Sequence, residues 1–297
     1  MRVSLAPVPY FWSRQGYYDF YQAVADSPVD IVYLGEIVCS KRRSMRLDDW
    51  LDIARMLSAK GKQAVLSTLT LLEADSDLKY LTRIASQQDF LVEANDMAAV
   101  QVASGRKNPF VVGSAVNVYN NRTLALLKTL GMYRWVVPVE LGRDDIQPML
   151  EFTREFEIEV EYQVYGRLPL AWSARCFTAR HLDLRKDDCQ FKCQDYEQGI
   201  PVFSQEKQIF SQINGIQTQS GHVTNLLQRW CELRATGVDI LRVVPVGAAD
   251  TLKVLDYLHA QVIGEDADEP ELSTEYAYCN GYWLQHEGMS FTPSASE

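Results

Sequence analysis

Short runs of apolar, largely β-branched residues alternate with stretches of helical periodicity along almost the whole chain. The strand-like runs are RVSLAPV from residue 2, IVYLGE at 31–36, QAVLSTL at 63–69 and FLVEAN at 90–95. PFVVGS at 109–114, WVVPVE at 135–140, IEVEYQVYG at 158–166 and DILRVVPV at 239–246 complete a set of eight. Most are nearly continuously apolar, as parallel strands covered on both faces are. A ninth run, QIFSQING at 208–215, is more polar and fits an insertion. Between the strands, Leu47, Trp50, Leu51, Ala54 and Leu57 recur at helix spacing, with Gly61 placed to end the segment. A second helix is predicted to open at Asn121 as N-cap, to turn Leu124 and Leu127 inward and to stop by Gly131. Strand–helix alternation with about eight strands predicts an α/β fold, a (β/α)8 TIM-barrel-like domain. An open doubly wound sheet is the competing arrangement, and no glycine-rich dinucleotide fingerprint follows the first strand to favour it.

The alternation breaks once. Roughly 40 residues follow Gly166 before the next strand-like run, and they hold three of the six cysteines. This predicts a cysteine-bearing insertion, 167–207, after the seventh strand of a barrel-like domain spanning 1–263. The run GEDADEPE at 264–271 opens an acidic loop, and 264–297 is expected to pack on the barrel as a C-terminal tail.

Composition narrows the chemistry. A chain of 297 residues buries a full core without staples. A net charge of −10 repels a phosphate backbone, so no nucleic-acid partner is expected. The N-terminus lacks the apolar core and cleavage site of a signal peptide, and no run approaches the roughly 18 apolar residues of a transmembrane segment. A cytoplasmic location follows as the expectation. There the cysteines read as metal ligands, reactive thiols or buried apolar groups rather than disulfides.

Cys176, Cys189 and Cys193 are spaced C-x12-C-x3-C, and Cys39 lies three residues beyond Glu36 at the end of the second strand. A barrel delivers every strand's C-terminal end to one rim, so Cys39 and the insertion can meet there. Four thiolates suit a [4Fe–4S] cluster or a structural zinc site of four cysteines, and spacing alone leaves both open beside unrelated thiols. Cys231, in TNLLQRWCELRATG, is expected to be a buried core thiol. Cys279, in CNGYW, is expected to dock the tail or to serve as a spare ligand.

The runs YLGEIVCSKRR, PLAWSARCFTAR and CNGYW, together with the four cysteines, resemble the UbiV-like family of the collagenase-like peptidase superfamily over nearly the whole chain. The resemblance implies a barrel-like domain and a [4Fe–4S] cluster held by Cys39, Cys176, Cys189 and Cys193. It also implies a paralogous UbiU-like partner in a heterodimer and a role in O2-independent, anaerobic hydroxylation during ubiquinone biosynthesis. The substrate would be a prenylated aromatic quinone precursor brought by a lipid-carrier protein. Relatives carry a His-Gly pair where this chain has Tyr165-Gly166. The missing imidazole argues against peptidase activity. Scaffold, RNA-hydroxylating and peptidase-like roles remain the alternatives.

Glu36, Glu140 and Tyr165 are the candidate catalytic residues, the two carboxylates being placed at strand ends where proton transfer is feasible. Lys41, Arg42 and Arg43 follow Cys39 and would attract an anionic substrate or offset a reduced cluster, unless they are simply solvated. Asn117 and Tyr119 lie on a loop after the fifth strand, the asparagine more in keeping with a turn. The four histidines show no ligand spacing.

Overall fold

The computed structural model describes residues 1–106 and 109–293. The last four residues of the expected tail, 294–297, lie outside the described residues. Eight parallel strands follow one another in chain order: β1 (Arg2–Leu5), β2 (Ile31–Leu34), β3 (Gln63–Ser67), β4 (Leu91–Ala94), β5 (Phe110–Val112), β6 (Met132–Val136), β7 (Glu159–Trp172) and, after an excursion, β11 (Ile240–Val243). Strand β11 pairs with both β1 and β7, which closes the sheet into a barrel. The predicted (β/α)8 architecture is therefore the one formed, and the open sheet is excluded by that double pairing. Helices α1 (Arg14–Asp26), α2 (Leu47–Ala59), α3 (Asp75–Ser86), α4 (Met97–Gly105), α5 (Asn121–Thr129) and α6 (Arg143–Glu155) connect the first seven strands.

Local chemistry accounts for the element ends. In α2, Leu47, Trp50, Ala54 and Leu57 are buried as the periodicity requires. Each fully buried aliphatic side chain of this kind contributes about 1.5–3 kcal/mol. Helix α5 starts one residue earlier than expected. Asn120, not Asn121, is the N-cap, and its side chain accepts from the Thr123 N–H at 2.9 Å. Asparagine at either position satisfies the cap rule, and only the extended backbone of Asn120 selects between them.

The excursion after the seventh strand is longer than its cysteines suggest. Strand β7 continues past Gly166 to Trp172 and pairs antiparallel with β10 (Gln217–Asn225). Between them lie the short helix α7 (Phe177–His181) and the strands β8 (Ile200–Phe203) and β9 (Ile209–Asn214), so the polar run near 208–215 is an insertion strand. Helices α8 (Trp230–Thr236) and α9 (Ala248–Ile263) flank β11, and β12 (Tyr278–Cys279) adds to β10.

The main core lies between the strands' outer faces and the helices. A smaller cluster of Ile31, Tyr33, Val65, Val111, Val136 and Ile240 fills part of the barrel interior. Charge occupies the rest. Glu161 accepts from Ser4 Oγ (2.7 Å), Tyr33 Oη (2.5 Å) and Arg242 Nη1 (2.8 Å). It also faces Arg134 at 3.7 Å. Arg242 reaches across to Glu93 at 2.8 Å, and Glu93 accepts from Ser67 at 2.6 Å. Two buried carboxylates are thus balanced by two buried guanidiniums.

Candidate functional site

The turn after β2 begins with Gly35 at φ +138°, where an added Cβ would lie 2.6 Å from the Ser67 carbonyl oxygen. Only glycine lets the two backbones approach so closely. Glu36 then closes the turn: its carboxylate accepts from the N–H groups of Val38 (2.8 Å) and Cys39 (3.0 Å). Burial pushes the Glu36 carboxyl above its ordinary value, against the opposing pull of Arg42 and the two N–H donors. The Arg42 N–H returns to the Cys39 carbonyl at 2.9 Å.

Arg42 organises what surrounds Cys39. It is 5% exposed, so the solvated reading of the basic run fails at its middle residue. Its guanidinium donates to the Pro9 carbonyl (2.8 Å) and to Asn214 Oδ1 (2.7 Å), and lies over the Phe11 ring at 5.7 Å. Asn214 in turn donates to Pro9 and to Gln217 Oε1. The next residue, Gly215, accepts from the Phe177 N–H (2.9 Å) and donates to Thr178 Oγ1 (3.0 Å). These bonds bring the start of α7, and with it Cys176, to the same place. Cys176 is the N-cap of α7, its Sγ accepting from the Ala179 N–H at 3.5 Å.

The Cys189–Cys193 segment arrives from the other side. Lys41 Nζ donates to the Lys186 carbonyl (2.8 Å) and pairs with Asp187 at 2.9 Å. Gln190 and Phe191 adopt left-handed backbone conformations, φ +50° and +56°, which fold the segment back on itself. Phe191 packs against Phe11 with ring centroids 6.3 Å apart. Three separate pieces of chain therefore converge on residues 39–42. All four cysteines are half-buried and unpaired with one another.

Burial raises the Cys39 thiol to about 11, with the Lys41 N–H and Arg42 opposing and Glu36 and Cys176 adding to the rise. The Cys193 thiol is also raised by burial, opposed by Arg42. Both are protonated at neutral pH unless a bound cationic centre displaces the protons. Soft sulfur donors of this kind suit iron–sulfur clusters or zinc. Among the described residues, no group of three or more His, Cys, Asp or Glu side chains is arranged to hold a single metal ion. Beside the four thiols stand the Ala179 N–H, aimed at the Cys176 sulfur, and buried Arg42, whose Nε has no hydrogen-bond partner among the described residues.

The other candidates lie elsewhere. Glu140 is exposed and accepts a hydrogen bond from Tyr119, on a cleft shared with Asn117 and Tyr282. Asn117 is in the left-handed conformation of a turn residue. Tyr165 is fully buried within β7 rather than at a strand end, and its hydroxyl has no partner among the described residues. Burial raises its phenol far above the ordinary value, with Tyr278 and Asp250 adding to the rise. The following Gly166 takes φ +110°, and an added Cβ would sit 2.4 Å from the Val244 carbonyl oxygen. Cys231, expected in the core, is exposed on the outer side of the short helix α8. Cys279 is buried at β12, its sulfur 3.8 Å from Thr224 Oγ1, where it fastens the tail to β10. His181 is exposed.

Arg42 as a buried hub and the charged barrel interior went unnoticed in the sequence. A signal for the second was present: Glu159, Glu161 and Gln163 alternate along β7, and Arg134, Arg242 and Glu93 interrupt otherwise apolar strands.

A family model described as Peptidase family U32 matches residues 16–251. Among solved structures, the U32 peptidase Mk0906 is 13% identical, with a TM-score of 0.46 over 83% of this chain and 94% of that one. The octameric Rubisco of Pyrococcus horikoshii OT3 is 14% identical at a TM-score of 0.49, covering 89% of this chain and 60% of that one. A type I 3-dehydroquinate dehydratase from Clostridium difficile is 10% identical at 0.44, over 88% and 93%. No helix among the described residues is long and apolar enough to cross a membrane.

Proposed function

Because this chain belongs to peptidase family U32, we propose that it is the [4Fe–4S] subunit of a UbiU–UbiV-type heterodimer that hydroxylates a prenylated aromatic quinone precursor without O2. The observation that carries this reading is the convergence of the loops bearing Cys39, Cys176, Cys189 and Cys193 on the buried Arg42. Peptide hydrolysis is disfavoured by Tyr165, a fully buried phenol that offers neither a base nor a metal ligand where relatives have histidine.

In this reading Cys39, Cys176, Cys189 and Cys193 hold the cluster, which supplies one-electron redox capacity. The chain's own residues do the rest. Glu36 fixes the Cys39 turn through its two N–H contacts. Arg42 and Lys41 place positive charge beside a thiolate-bound centre whose own charge is negative, which favours its reduced form. Ala179 donates an N–H toward the Cys176 sulfur, an interaction of the kind that tunes cluster potential. Glu140 and Tyr165 sit apart from the cysteines, which leaves Glu36 as the one proposed acid–base residue beside them.

The test is anaerobic purification with iron, sulfide and zinc analysis of wild-type protein and the Cys189→Ala variant. About four irons and four sulfides per wild-type chain, lost together with anaerobic quinone synthesis in the variant, support the reading. One zinc and no sulfide, or full activity in a cluster-free variant, refutes it.

A further inference from the structure

Strands β8 and β9 form a two-stranded finger at the end of the sheet that β7 and β10 extend. Strand β9 pairs with β10 only from Ser211 to Asn214, so Phe203–Phe210 runs on without a third strand in the ladder. Its turn closes on itself. The Ser204 N–H donates to the Gln208 carbonyl at 2.8 Å and the Lys207 N–H to the Ser204 carbonyl at 3.1 Å, with Lys207 at φ +63°. Phe203 and Phe210 flank this turn. They are 57% and 62% exposed, the two most exposed large apolar side chains among the described residues.

The local sequence builds this exposure. The register of β8 on β9 slips between Val202 and Phe203, which leaves Phe210 as the extra residue of a β-bulge. Regular alternation would put Phe210 on the face of Gln212 and Asn214, both buried. The bulge bends the strand and turns the ring outward instead. Gly221 fixes the root of the finger: an added Cβ there would lie 2.2 Å from the Ile209 carbonyl oxygen, so the two backbones touch directly.

Three properties of the finger select what it meets. Strand addition is blocked, because β8 is the sheet edge and Pro201 within it has no N–H to offer. A protein interface of ordinary size covers about 800 Å2 per partner. Two phenylalanine side chains supply at most about 500 Å2. The turn between them, Ser204–Gln208, is polar and carries one acid, Glu206, against one base, Lys207. Apolar rings on a narrow, neutral projection suit the boundary between lipid headgroups and acyl chains, which takes such side chains without a matching surface.

We propose that this finger docks the protein on a lipid bilayer, with Phe203 and Phe210 turned into the acyl boundary and the polar turn in the headgroup layer. The attachment is apolar, weak and reversible, because a net charge of −10 is repelled by anionic lipid. It stands on the finger alone and holds whether or not the cysteines carry a cluster.

The test is cosedimentation of the purified full chain with phosphatidylcholine vesicles, and with the same vesicles containing about 30% phosphatidylglycerol. The protein should sediment with the first, less with the second, and stay bound in about 0.5 M NaCl. Phe203→Ser with Phe210→Ser should lower the partition at least about tenfold at unchanged melting temperature, since both rings face water in the free protein. Leu126→Ser on α5, where the side chain is 56% exposed, should leave it unchanged. The added fluorescence of a Phe210→Trp variant should be quenched by lipid with brominated acyl chains. No sedimentation with either vesicle, release by salt, or an equal loss in Leu126→Ser would overturn the proposal. So would a lower native mass of the double variant in light scattering without lipid, which assigns the two rings to a protein interface. None of these readouts involves iron or sulfide, so failure here leaves the cluster assignment untouched.

Discussion

Replacing Glu161 with glutamine removes one charge from the barrel interior and almost nothing else. The wild-type carboxylate is fully buried and serves Ser4, Tyr33 and Arg242 within 2.8 Å and Arg134 at 3.7 Å. After substitution, Arg242 keeps Glu93 at 2.8 Å, and Arg134 keeps its hydrogen bonds to Tyr33 and Gln63 but has only Glu159 as a carboxylate partner, which is about one-third exposed and correspondingly screened. The interior then carries one guanidinium balanced only by a partly exposed carboxylate, and one amide N–H must face a donor. Breaking one side of a buried pair costs about 3–5 kcal/mol, and the surviving partners put this case near 3. For a chain of this length that is a fall of roughly 5–10 °C in melting temperature. Intrinsic tryptophan fluorescence suits the assay, because Trp135 is buried next to Arg134.

The pH dependence has a definite sign. Burial alone would raise the Glu161 carboxyl, but Arg242, Arg134 and Tyr33 outweigh it and hold the group below its ordinary 4.5. A depressed carboxylate contributes stability above its unfolded value and loses it as pH falls through the folded one. The gap between wild type and Glu161→Gln should therefore be constant from pH 8 to about 5 and close in more acid solution. A melting difference under about 2 °C at pH 7, or a gap that widens in acid, would refute the electrostatic account.

Two further substitutions probe the backbone. Gly166→Ala forces a Cβ onto the Val244 carbonyl at φ +110° and should cost about 2–3 kcal/mol, read as a melting shift and faster limited proteolysis after β7. Asn120→Ala removes the α5 cap and should cost about 1 kcal/mol, whereas Asn121→Ala should cost much less, in the same melting assay.

The barrel was legible because its strands are short, apolar and separated by segments of clear helical period. Buried parallel strands and amphipathic helices write different repeats, and the eight runs named from the sequence each contain or overlap a barrel strand. Register inside a run was less visible. The extension of β7 beyond Gly166 could not be read, because Leu168 and Leu170 stand on either side of Pro169, which has no N–H for a sheet ladder and argues against a strand. The four cysteines stood out as a set, but Arg42 did not. Three consecutive basic residues look alike in sequence, and only the fold shows that the middle one turns inward to Pro9 and Asn214 while Arg43 faces water. Cys231 failed for the complementary reason: α8 has seven residues, too few for its periodicity to say which side is covered.

The clasp made by β11 has a consequence for how the molecule is made. Arg242 is the last of the interior charges to leave the ribosome, long after Glu93 and Glu161. Until it arrives, among the described residues Glu161 has only Arg134 and Glu93 has no cationic partner, in a sheet that is still open between β1 and β7. The eighth stave thus behaves as a ligand supplied by the chain to itself, neutralising the interior in the same step that seals it. A nascent chain stopped before residue 240 would hold all four cysteines and yet carry an acidic, unpaired seam where the finished protein has a closed and neutralised one.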